Sequence, residues 1–139
     1  MDYKLEVIPV PVADVDRAKA FYADQVGFAV DVDHRAGESF RVVQLTPPGS
    51  PCSIMVGVGI TDSVPGAVKG LHLVVTDIET AVAELGGSGV PIGNPRHMTP
   101  DGWADGADPQ RADYNSFAEF ADPDGNVWII QERGHAEHA

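Results

Sequence analysis

Val12-Ala13-Asp14-Val15-Asp16-Arg17-Ala18 returns 63 residues later as Val75-Thr76-Asp77-Ile78-Glu79-Thr80-Ala81. Each copy follows an apolar run and sets an aspartate, a favoured helix N-cap, ahead of apolar residues at helical spacing. A second echo follows: Thr46-Pro47-Pro48-Gly49-Ser50 is answered by Asp122-Pro123-Asp124-Gly125-Asn126, now 76 residues apart. The halves therefore share a plan of strand, helix and further strands, and the second carries thirteen extra residues between helix and turn. A unit of this kind cannot bury its own apolar face. Two copies close on each other or on a partner, and the surface they enclose is the expected ligand site.

Working outward, residues 5–12 read as a strand, placed at a sheet edge because Pro9 and Pro11 each lack a ladder donor. Val15, Ala18, Phe21 and Tyr22 recur at helical spacing until Gly27 stops the segment. Strands are expected at 28–32, 40–45 and 52–58. The second half repeats the order, with a strand at 70–75, a helix from Asp77 to Gly86-Gly87, and strands at 90–92, 114–121 and 127–132. The halves, 1–60 and 70–133, are joined by a linker at 61–69 and form one compact domain. The segment 96–113, broken by Pro100, Gly102, Gly106 and Pro109, reads as a long loop, either a lid or an oligomer contact. The tail 134–139 is expected to fray.

Composition removes several function classes. Against 21 acidic residues stand 9 basic ones, and a net charge of −12 repels a phosphate backbone and an anionic membrane surface, so neither nucleic acid nor membrane is an expected partner. No apolar run approaches the roughly 20 residues of a membrane span, and the N-terminus lacks signal-peptide character, so a cytoplasmic protein is expected. The single cysteine, Cys52, forms no internal disulfide and sits in an apolar run, where a buried, inert thiol is expected. No P-loop, dinucleotide fingerprint, G-x-S-x-G elbow or C-x-x-C pair is present. Asp101, Asp105 and Asp108 do not follow the twelve-residue Ca²⁺-loop order.

The element order, the paired V-x-D-x-x-x-A openings, Ala18-x-x-Phe21-Tyr22, Gly27-Phe28 and the Asp122-Pro123-Asp124-Gly125-Asn126 turn before an apolar strand together resemble the vicinal oxygen chelate superfamily. That group holds glyoxalase I, bleomycin-resistance proteins, fosfomycin-resistance transferases and extradiol dioxygenases, and the likeness covers about residues 5–132. It implies an α+β fold of two βαβββ modules whose sheets curl into a cup around a small organic ligand, with helices outside. It also implies a homodimer, since many members complete their cups across a two-fold axis.

Metal-dependent members hold one divalent ion through His, Gln or Glu on the first and last strands of each module. Carried onto this chain, those positions are Val7, Gly70, Ile129 and one of residues 53–55, none a good ligand. The chain thus reads as a member lacking the usual metal ligands and needing no cofactor. Strand alternation puts His72 on the face of Gly70 and Gln131 on that of Ile129, which leaves room for an atypical divalent ion.

His72, in an apolar run, is the candidate catalytic residue: a general base, a hydrogen-bond partner for a ligand, or a histidine satisfied by a neighbouring carbonyl. Gln131 orients a ligand. Val7, Pro9, Met55, Val74 and Ile129 are expected to line the pocket, while Trp128, of opposite parity to Ile129, packs beneath the helices. From the long loop, His97, Met98, Trp103 and Arg111 are expected to close over a ligand, with Trp103 stacking on a planar group. His135 and His138 beside Glu137 belong to the tail. The leading expectation is a metal-independent binder of the bleomycin-resistance kind, which sequesters or carries a small, largely apolar organic molecule. The alternatives are a lyase or isomerase with His72 as base and Gln131 holding an oxyanion, and a dimeric interaction module without ligand.

Overall fold

The computed structural model describes residues 1–138; Ala139 and the side chain of His138 lie outside the described residues. The architecture is α+β, in two compact units: Met1–Val68 together with Asp122–Asn126, and Lys69–Ala121 together with the chain from Val127 onward.

In the first unit, β1 (Val7–Pro9) leads into α1 (Val15–Ala20), which widens into a π-helical segment, Phe21–Val26. Three strands follow, β2 (Ala29–Arg35), β3 (Arg41–Thr46) and β4 (Ser53–Val58), in the sheet order β1-β4-β3-β2 with β1 parallel to β4. The edge position of β1 suits its proline, Pro9. Only three of the eight residues expected in this strand lie in it, since Pro11 turns its carbonyl to Asn126 and Gly66 instead. Asp14 caps α1 by accepting the Arg17 N–H at 3.1 Å, and Val15, Ala18, Phe21 and Tyr22 are buried with Val43, Leu45, Ile54 and Val56. Arg41 stands on this same buried face and forks onto Asp33 at 3.1 and 2.9 Å and Asp16 at 2.7 Å, which ties β2 and β3 to α1. The guanidinium, with Lys19 beside it, holds the Asp33 carboxyl well below the usual carboxylate range. Cys52 is half-buried rather than buried, because it stands one residue ahead of β4.

The second unit repeats the plan with an addition. Its elements are β5 (Lys69–Val75), α2 (Ile78–Gly87), β6 (Arg96–Thr99), β7 (Gly102–Asp105), β8 (Ser116–Ala121) and β9 (Val127–Glu132), in the sheet order β5-β9-β8-β6-β7 with β5 parallel to β9. Asp77 caps α2 by accepting the Thr80 N–H at 3.1 Å, as Asp14 does for α1. Ile78 is buried with Ala118, Phe120, Trp128 and Ile130. Trp128 lies on the helix-facing side, as alternation predicts, stacked on Phe120 at 6.1 Å between ring centroids. A single helical turn, α3 (His135–His138), closes the chain.

The segment 96–113 is not a structureless loop. Its first part is the β6–β7 hairpin, with Met98 opposite Trp103 and Thr99 opposite Gly102. Pro100-Asp101 is its turn, and Gly102, which opens β7, takes a φ of 111°, which a side chain would resist. The strand expected at 90–92 shrinks to one bridge, Ile92 to Phe120, because Pro91 and Pro95 remove donors on both sides. β6 takes its place beside β8.

The Asp122–Asn126 turn is a dense polar cluster within the first unit. Asp122 accepts the Tyr22 hydroxyl at 2.7 Å, the amides of Asp124 and Asn126 at 2.9 Å, and the Asn126 side-chain N–H at 2.8 Å. Asn126 also donates to the Pro11 carbonyl at 2.8 Å and accepts the Val68 N–H at 3.1 Å. Asp122→Ala strands several buried donors and is expected to lower unfolding free energy by about 3 kcal/mol, against about 1 kcal/mol for Tyr22→Phe. Urea denaturation of both variants checks the ranking, and equal losses would show that the cluster is not centred on Asp122.

Candidate ligand pocket and its histidine

In β9 the residues Trp128, Ile130 and Glu132 are buried beneath α2, while Val127, Ile129 and Gln131 are only half-buried on the opposite, open face. The strand register extends that open face sideways: His72 and Glu119 both pair with Ile129, Phe117 with Gln131, and Arg96 with Phe117. A cavity of about 430 Å³ lies on this face, lined by His72, Ile129, Phe117, Ala118 and Glu119, and by Arg96, Met98, Trp103 and Asn115 around the hairpin. Trp103 meets Phe117 edge-on at 5.4 Å, and the Arg96 guanidinium lies over the indole at 4.4 Å. Arg96 also approaches Glu119 at 3.8 Å, and the Asn115 amide is spent on both backbone groups of Met98.

His72 and Gln131 meet, as their shared face requires. His72 Nδ1 lies 2.9 Å from Gln131 Oε1, and Gln131 Nε2 donates to the Tyr114 carbonyl at 3.1 Å. His72, Trp103 and Ile129 line the cavity, and Gln131 stands behind the imidazole. Val74 lies further along β5, 53% exposed, and is not a lining residue. Val7, Pro9 and Met55 sit in the first unit's sheet and line no part of this cavity. Their register settles one alignment. Pro9 pairs with Met55 as His72, its counterpart 63 residues on, pairs with Ile129. Met55 is therefore the first-unit equivalent of Ile129.

The expected lid residues divide. Met98 and Trp103 line the cavity, but as strand residues of the hairpin. His97 turns to the other face, where it is buried and its Nδ1 donates to the Gly106 carbonyl at 2.8 Å. Arg111 is not among the residues that line the cavity. Its guanidinium grips Glu132 at 2.6 and 2.9 Å and also reaches Glu79 at 2.9 Å and Asp77 at 3.3 Å. The signal was available in the alternation: Glu132 falls on the helix-facing side of β9, where a carboxylate needs a cation. Asp77, Glu132 and His135 converge here with ligand atoms within 4.8 Å of one another, and Arg111 already supplies the positive charge. Sequence reasoning missed Phe117 and Glu119, whose place on the open face of β8 was also legible as alternation, and Arg96 and Asn115, which depend on the hairpin.

Over residues 4–130 the chain matches the model of the glyoxalase/bleomycin resistance protein/dioxygenase superfamily, and it belongs to that family. It is similar to the uncharacterized protein YetH of Bacillus subtilis, 24% identical over 93% of this chain and 98% of that one. Among solved structures it resembles TnmS3, an antibiotic binding protein from Streptomyces sp. CB03234, at 30% identity and a TM-score of 0.74 over 94% of this chain and 96% of that chain. It also resembles a family member from Sphaerobacter thermophilus DSM 20745, at 26% identity and a TM-score of 0.73 over 95% of this chain and 98% of that chain. Among the described residues no helix is long and apolar enough to cross a membrane.

Burial pushes the Glu132 carboxyl up, but the Arg111 guanidinium and the Ile78 amide outweigh it and hold the group below its ordinary value of 4.5. A carboxyl depressed in the folded state contributes stability that is present above pH 4.5 and lost as pH falls through the folded value. Glu132→Gln is therefore expected to cost roughly 3 kcal/mol at neutral pH and to flatten the acid-side loss of stability. Urea unfolding from pH 7 to pH 3 reads both effects, and an unchanged acid limb would remove Glu132 from the account.

Proposed function

We propose that the protein binds a small, largely apolar organic molecule in the cavity on the open face of the second sheet, without a metal ion, and acts by sequestering or carrying it. The observation that carries this reading is the cavity itself: about 430 Å³ walled by Ile129, Phe117, Met98 and Trp103, with one imidazole at its edge. That volume and a mostly apolar wall with few polar points suit a drug-sized ligand. The likeness to an antibiotic binding protein at 30% identity supports the same kind of function.

The donor chemistry speaks against a divalent ion at the family position. Val7, Gly70 and Ile129 offer no side-chain donor, and Met55 offers only a thioether, a soft ligand. Of the remaining pair, His72 Nδ1 and Gln131 Oε1 are occupied with each other. After incubation with Ni²⁺, Zn²⁺, Mn²⁺ or Fe²⁺ and dialysis, elemental analysis is expected to find far less than one ion per chain. A near-stoichiometric ion lost on His72→Ala would sink the metal-free reading.

The lyase or isomerase reading retains His72 as a base with Gln131 as its orienting partner. One of the two Gln131 Nε2 protons goes to the Tyr114 carbonyl, which leaves a single N–H for an oxyanion. Trp103 is half exposed at the cavity and Trp128 is buried, so a bound aromatic ligand should change Trp103 emission selectively. Trp103→Phe is expected to abolish that change and weaken binding about tenfold, within the range of a lost aromatic contact plus its buried area. His72→Ala should lower affinity only in part, whereas collapse of a measurable turnover would favour the enzyme.

A further inference from the structure

We infer that this pocket selects aromatic ligands bearing an O–H or N–H donor, because Gln131 holds His72 in the tautomer whose remaining ring nitrogen is an acceptor. The inference rests on the ligand-binding reading above and adds the chemistry of what is bound.

The chain of donors leaves one assignment. A backbone carbonyl only accepts, so the Gln131 group 3.1 Å from the Tyr114 oxygen is the NH₂. The amide oxygen then faces His72 Nδ1 at 2.9 Å, and since that oxygen also only accepts, Nδ1 carries the proton. A neutral imidazole has one N–H, so Nε2 presents a lone pair. Tyr114 makes the arrangement firm. It sits in the left-handed region at φ 62°, uncommon for a residue with a side chain, and its N–H donates to the Glu132 carbonyl at 2.7 Å. Both of its peptide groups are thereby pinned to β9.

Of the other polar groups of the cavity, one is a further acceptor and two are directed at neighbours within the protein. Glu119, across Ile129 from His72, is an acceptor. The Asn115 amide is committed to Met98, and the Arg96 guanidinium is laid on the Trp103 ring. An aromatic ligand with a hydrogen-bond donor at its edge pairs with Nε2. One without a donor strips water from that nitrogen and returns nothing, and such unpaired groups discriminate strongly in binding.

Two measurements test this. Long-range ¹H–¹⁵N spectra of the imidazoles at pH 8, with His72→Phe to assign the signals, are expected to show the Nδ1–H form in the wild type and a shift toward Nε2–H in Gln131→Leu. Gln131→Glu, whose carboxylate also accepts, should keep Nδ1–H. Calorimetric titration with 2-naphthol and 2-methoxynaphthalene is expected to favour the naphthol about tenfold, with the preference gone in His72→Phe and reduced in Gln131→Leu. A wild-type Nε2–H tautomer, or equal affinity for the two probes, overturns the inference while leaving a functional apolar pocket. Binding of neither probe overturns the pocket reading and this inference with it.

Discussion

Two side chains, Asp122 and Asn126, organise the first unit. Segments far apart in the chain end on them: the Pro11 carbonyl, the Tyr22 hydroxyl, the Val68 amide and the turn's own backbone. Both are buried, and buried polar groups must find partners, so these segments have little freedom to drift. The same crowding explains Gly66, where an added Cβ would overlap the Asp124 carbonyl oxygen. With the turn fixed, β8 and β9 leave it in a set register, Ala121 opposite Val127, and Glu119 falls opposite Ile129.

β9 then does two jobs through neighbouring residues. Glu132 goes to the helix side and takes Arg111, while Gln131 goes to the open side and takes His72. The chain between Arg111 and Tyr114 serves both. Arg111 supplies its guanidinium to Glu132, Tyr114 supplies its carbonyl to Gln131, and these two are the only described non-glycine residues with positive φ, at 50° and 62°. Strain of this kind, of order 1–3 kcal/mol per residue, persists where surrounding bonds over-determine the backbone. Here those bonds set the polar edge of the pocket, so a charge pair beneath the sheet and an imidazole above it are held by one short stretch of chain.

Several differences between the local sequence pattern and the structure have one cause. β2 runs to Arg35, three residues past the end expected at 32, where Asp33 meets Arg41 and Lys19. Arg111 looked free to meet a ligand because its carboxylate, Glu132, lies 21 residues away. The β6–β7 hairpin was hidden by the prolines and glycines around it, although Pro100-Asp101-Gly102 is a turn signal. In each case the partner that gives a polar or punctuating residue its role lies outside the window in which pattern is read.

The sequence by itself determined the repeated plan, both aspartate-capped helices, the polar turn before β9, and the faces on which His72, Ile129, Gln131 and Trp128 stand. These depend on capping, turn chemistry and side-chain alternation, which act over a few residues. Tertiary structure alone decided that β6 and β7 extend the second sheet, that Arg96, Met98 and Trp103 stand with Phe117 and Glu119 around one cavity, and that Gln131 links His72 to Tyr114. The reason is physical: the partner of a donor, a charge or an aromatic face is chosen by strand register, which joins residues that no local pattern connects.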